Sequence, residues 1–172
     1  TSYLFRVMET GHLEHLYYGR KIHPAIDGLM EQHAFAPGNT NIYDSEHLQF
    51  SLEDACLEMS SFGKGDIREP FVELTLSDGS ETSDFLFEKF EQGTGKEEFE
   101  TLPGSYDESG EVEWLGVTLR DKNSGVILEL HYYVYEDCDV ITRSAKLINE
   151  SGDVVKLNRL MSLQLDLEPS DY

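Results

Sequence analysis

Basic residues are scarce in this sequence: 13 Lys and Arg stand against 34 Asp and Glu, a formal charge of -21. Charge of that sign repels phosphate backbones and anionic lipid over about 8 Å in physiological salt, which excludes nucleic acid and membrane surfaces as partners. Cysteine is nearly absent too. Cys56 and Cys138 lie far apart with no second thiol or histidine at zinc spacing beside either, so they read as free thiols, with a disulfide as the alternative. No metal, cofactor or staple is expected, and the thiol usage fits a reducing, cytoplasmic compartment. Long apolar runs are missing: Thr1 to Val7 has no basic start leading into an apolar stretch, and nothing downstream approaches the roughly 20 apolar residues of a membrane helix. P-loop, nucleophile-elbow and dinucleotide patterns are missing as well, and Gly63-Lys64-Gly65 lacks the strand-to-helix setting of a phosphate site.

What is present is alternation. With 172 residues the chain is expected to be one domain over 1–172, large enough to bury most of its apolar surface. Tyr3 to Glu9 alternates as a strand, Thr10-Gly11 turns it, and His12 to Lys21 returns, which predicts a hairpin. Strand spacing also appears over Leu48, Phe50 and Leu52, and over Phe71 to Leu76, where Asp78-Gly79 predicts a hairpin into Ser83 to Phe90. Glu111 to Arg120 sets Val112, Trp114, Gly116 and Thr118 against Leu115, Val117 and Leu119. Val126 to Glu136, Cys138 to Asn149 and Val154 to Leu167 follow with tight turns, an antiparallel meander in which Val126 to Glu136 is bulky on both faces. No helix beyond two turns is required, so the fold class is all-β: a two-sheet antiparallel β-sandwich.

Two stretches interrupt the pattern. Met59 to Pro70 places two glycines before Asp66-Ile67-Arg68-Glu69-Pro70, a shaped loop in which Asp66 and Arg68, two apart, form a charged pair or grip a polar ligand. In the alternative, Asp66 braces the loop through backbone N–H groups and Arg68 packs its stem on the sheet. Ile22 to Asn41 loses periodicity for about twenty residues, a length more often functional than not. That loop carries Gln32, His33 and Phe35, which together with Asp66 and Arg68 are the candidate interface or substrate-entrance residues. Its two histidines do not make a metal site, because zinc needs three or four convergent ligands. The eleven acids between Glu81 and Glu113 read as a solvated rim, and neighbouring pairs such as Glu97-Glu98 give no evidence of carboxylates facing across one glycosidic bond. Asn149-Glu150-Ser151 matches a glycosylation sequon in an evident turn.

Several of these residues, taken in order, carry a resemblance. They are Phe62-Gly63 with Asp66-Ile67-Arg68-Glu69-Pro70; Leu102-Pro103 with Tyr106; Tyr133-Val134-Tyr135-Glu136 leading into Val140-Ile141-Thr142-Arg143-Ser144; Asn149 and Gly152; and Leu160-Met161-Ser162. Over nearly its whole length the chain resembles the N-terminal domain of the family 36 glycoside hydrolases, chiefly microbial α-galactosidases. The resemblance implies a β-supersandwich that packs on a catalytic (β/α)₈ barrel, where two aspartates serve a retaining mechanism. It also implies a homo-oligomer, a tetramer in some members, with N-terminal loops reaching a neighbouring subunit's active site. The positions concerned fall around Gln32-His33-Ala34-Phe35 and near Leu48, where some relatives carry an aspartate and an arginine in place of Gln32 and Leu48. The barrel and its catalytic motif are not in this sequence, so the chain alone is expected to hydrolyse nothing and to serve by docking the barrel, which binds the galactoside. The alternative is a free-standing carbohydrate-binding or protein-interaction sandwich.

Overall fold

The computed structural model describes residues 1–23, 41–64, 66–99, 103–108 and 110–165. Its largest element is a four-stranded antiparallel sheet in the order β4 (Phe85–Thr94), β5 (Glu113–Asp121), β6 (Ile127–Tyr135) and β7 (Val140–Ile148). The sheet forms because each of these strands alternates, so one pleat face collects the apolar set. Val117 opposes Leu130, which opposes Ala145, while Leu119 opposes Leu128, which opposes Leu147. Val117, Leu119, Leu128 and Leu130 are all nearly inaccessible to solvent.

Against that face lie two ribbons. The hairpin of β1 (Ser2–Val7) and β2 (Leu13–Gly19) is one, as the alternation predicts. The other pairs β3 (Val72–Thr75) with β8 (Lys156–Leu160), antiparallel. Phe71, Val72, Leu74 and Leu13 from the ribbons complete the core with Phe85 of β4. Among the described residues helix is limited to two 3₁₀ turns, Leu52–Asp54 and Glu136–Cys138, so the all-β sandwich stands. No helix among the described residues is long and apolar enough to cross a membrane.

Three local readings change. The Asp78-Gly79 turn exists, with Gly79 N–H donating to Leu76 O at 2.9 Å, but the strand after it leaves β3. The Asp84 N–H is captured by Asp121 Oδ1 at 2.6 Å and Phe85 pairs with Asp121, which draws β4 into the large sheet. The vacated edge of β3 is filled by β8, so the final segment does not extend the meander; Leu157 and Leu160 pair there with Leu74 and Val72. Residues 42–57 form no named strand. Asp44 Oδ1 accepts from the backbone N–H of Glu46 and His47, both at 2.9 Å, and such an Asx turn bends the chain out of strand geometry.

Candidate functional site

The loop Met59 to Pro70 is held by its backbone before its charges act. Gly63 sits at φ 89°, and a Cβ there would meet Thr82 Oγ1 at 2.5 Å, so both the conformation and the close approach require glycine. Phe62 O accepts from Ser83 N–H at 3.1 Å, fastening the loop to the segment entering β4. Ser60 is fastened at the other end, its N–H and hydroxyl both donating to Gln164 Oε1 at 3.1 and 2.8 Å.

Within this frame Asp66 and Arg68 meet. Asp66 Oδ1 accepts from Arg68 N–H at 3.0 Å and from Arg68 Nε–H at 2.8 Å, and Arg68 Nη2 donates onward to Leu52 O at 2.9 Å. The Asp66 carboxylate is 1% exposed. Pair and brace are therefore one arrangement: the charge is spent on shaping the loop and tying it to the 3₁₀ turn at Leu52. The loop turns outward two apolar side chains, Phe62 at 41% and Ile67 at 81% exposure, beside Glu69, which pairs with Arg159. Gln32, His33 and Phe35 lie outside the described residues. Leu48 lines a surface hollow with Glu46, His47, Gln49 and Phe50.

Two buried carboxylates lie behind the loop, and the strand reading missed both. Glu58 accepts from Tyr3 Oη at 2.8 Å and Tyr132 Oη at 2.7 Å, and pairs with Arg143 Nη1 at 2.8 Å. Arg143 Nη2 also donates to the Glu58 carbonyl at 3.1 Å, and its guanidinium stacks 5.1 Å from the Phe71 ring and 5.2 Å from Tyr132. His15 Nδ1 stands 3.4 Å from the same carboxylate. Burial, then the Glu58 charge, pushes the Tyr3 phenol upward, and burial followed by the same charge raises Tyr132, so both hydroxyls keep their protons and donate. The readable signal was parity: Arg143 falls on the apolar face of β7, between Ile141 and Ala145.

Asp84 is the second. It accepts from Tyr43 Oη at 3.0 Å, lies 3.0 Å from His12 Nε2, and has Lys64 Nζ of the loop at 3.6 Å. Burial alone would raise its carboxyl, but the hydrogen bond and charge of His12, with Lys64 and Tyr43, outweigh burial and hold it below the usual carboxylate range. Glu58 and Asp84 are thus carboxylates already supplied with donors inside the fold, unlike a pair placed on opposite sides of a sugar-sized gap. Among the described residues no group of three or more His, Cys, Asp or Glu is arranged to hold a metal ion.

The large sheet has two contrasting surfaces. On its core side the apolar face runs on past the ribbons to Phe90 and Val134, 59% and 40% exposed. On its other side Trp114, His131 and Tyr133 share one face, with Tyr133 partnering Trp114 across β5 and β6.

The family model described as the glycosyl hydrolase family 36 N-terminal domain matches residues 11–172. The chain belongs to this family. Alpha-galactosidase AgaA of Geobacillus stearothermophilus is 31% identical over 180 residues, covering 99% of this chain but 24% of AgaA. A crystal structure of the α-galactosidase from Lactobacillus brevis superposes with a TM-score of 0.88 at 33% identity, over 96% of this chain and 22% of that one. A variant of the Geobacillus AgaA, solved in complex with raffinose, gives 0.91 at 30% identity, over 99% and 24%. The family 36 N-terminal domain seen here thus spans about a quarter of the relatives it matches. The sandwich described above superposes on the corresponding quarter of these family 36 structures.

Proposed function

We propose that this chain is the non-catalytic N-terminal sandwich of a retaining α-galactosidase, one that removes terminal α-galactosyl residues from melibiose- or raffinose-type sugars. Its role is to dock the catalytic (β/α)₈ barrel of the same polypeptide and to support a cytoplasmic homo-oligomer, a tetramer by analogy with the family. The observation that carries the reading is the family match over residues 11–172 to α-galactosidases of which this chain spans about a quarter. Apolar side chains left open support the docking role: Phe62 and Ile67 on the braced loop, and Phe90 and Val134 on the core side of the large sheet. In this reading Asp66 and Arg68 hold that loop in its docking shape, and the Gln32, His33 and Phe35 segment lies at the substrate entrance. Cys56 and Cys138, neither of them in a disulfide, fit a reducing compartment.

The test compares the full-length polypeptide with this chain alone on a nitrophenyl α-galactoside. The long form is expected to turn it over and the sandwich alone to be inert. Turnover by the purified sandwich, or a long form without α-galactosidase activity, overturns the reading.

A further inference from the structure

The outward face of the large sheet holds an aromatic side chain in a setting that packing does not demand. Trp114 opposes Gly93 on β4, and Gly116 lies two residues further along β5 on the same face. A Cβ on Gly93 would come within 3.0 Å of the indole Nε1 and 3.1 Å of Cε2 and Cζ2, and one on Gly116 within 3.3 Å of Cζ3. The ring therefore lies flat across both glycines, in space that any other residue would fill. Trp114 is only half-buried, so with its inner face taken up by the glycine floor, the area it keeps is on the opposite side.

Polar groups border the ring. His131 is paired with Gly116 across β5 and β6, and Glu129 and Glu91 stand on the same face in neighbouring strands. Glu129 Oε2 lies 3.4 Å from Lys146 Nζ and 3.6 Å from His131 Nε2, and Glu91 Oε1 accepts from Lys89 at 2.7 Å. A carboxylate has room for about four hydrogen bonds, so these partners leave acceptor capacity. A flat indole ringed by outward acceptors suits a ligand with one C–H-rich face and a rim of hydroxyl donors, which describes a pyranose. The charge of -21 turns away anionic ligands, and the hydroxyl rim of a neutral pyranose matches the outward acceptors.

We infer that Trp114, on its floor of Gly93 and Gly116 and bordered by His131, Glu129 and Glu91, is a surface binding site for a neutral saccharide, with a pyranose ring stacked on the indole. The choice of an α-galactoside as the probe rests on the proposed function, and a raffinose complex exists for a relative. The site lies on the outward face of the large sheet. It would hold a saccharide chain beside the enzyme without cleaving it.

The chain has one tryptophan, so its emission reports this site alone. Raffinose titrated into the full chain is expected to shift the emission saturably, with the non-cyclic polyol sorbitol as control. Glu129→Gln is expected to weaken the apparent affinity severalfold, and Trp114→Leu, followed by calorimetry, to abolish the heat of binding with an unchanged far-ultraviolet circular dichroism spectrum. An emission unmoved by raffinose overturns the site, as does an equal response to sorbitol or an undiminished heat in Trp114→Leu. Should Trp114→Leu not fold, the unaltered chain and Glu129→Gln decide. A long form that cleaves α-galactosides while the emission stays still removes this site and leaves the proposed function intact; saturable binding with no cleavage does the reverse.

Discussion

Glu58 and Asp84 are buried to the same degree, 0% and 1% exposed, yet they are secured by different chemistry. Glu58 faces the planar fork of a guanidinium, and its donors come from β1, β6 and β7. Asp84 is held by His12, 3.0 Å away, and by Lys64, which arrives from the braced loop. One carboxylate joins the two layers of the sandwich through two phenols and a guanidinium. The other anchors the loop and the hairpin turn under conditions that acid removes.

The largest effect expected from breaking this contrast is at Arg143. Arg143→Met leaves the Glu58 carboxylate buried without its cation and should cost about 3 to 5 kcal/mol in urea unfolding, with part of the loss recovered by adding Glu58→Gln. Recovery by the second substitution is the informative result, because loss of packing alone would not be repaired by it. Next comes Asp84→Asn, which should cost about 1 to 3 kcal/mol at neutral pH through donors left unmatched. The folded carboxyl titrates below its ordinary value of 3.8, so its contribution is whole above that pH and fades as pH falls through the folded value. Unfolding followed from pH 6 downward should therefore show a shallower acid decline in the variant than in the unaltered chain. The smallest effect marks the surface limit: Arg120 pairs with Glu88 at 3.0 Å and Glu150 at 3.4 Å in solvent, and Arg120→Ala should leave the Tm within measurement scatter.

Legibility in the sequence tracked how local the determining interaction is. The β5–β6–β7 meander follows from alternation and short turns, and the assignment of Trp114 and Leu115 to opposite faces needs nothing more than a period of two. The fate of β3 was not legible, because its turn is local while its partner is 81 to 88 residues away and is chosen by where Asp121 draws β4. Likewise Asp66 and Arg68 were legible as a pair from their spacing, but Arg68 reaching Leu52 requires the 3₁₀ turn that replaced an expected strand. Glu58 and Asp84 read as ordinary acids in an acid-rich chain. Their roles are set by phenols and cations delivered from other strands.

The Glu58 junction also sets a timetable for synthesis. Tyr132 lies 74 residues downstream and Arg143 lies 85 downstream. At translation rates of about 5 to 20 residues per second, the nascent chain holds that acid without its guanidinium for roughly 4 to 17 seconds. The first hairpin thus leaves the ribosome with no layer to lie on, and closure waits for the third strand of the meander. Substitutions in that strand are therefore expected to act on the yield of folded protein during synthesis.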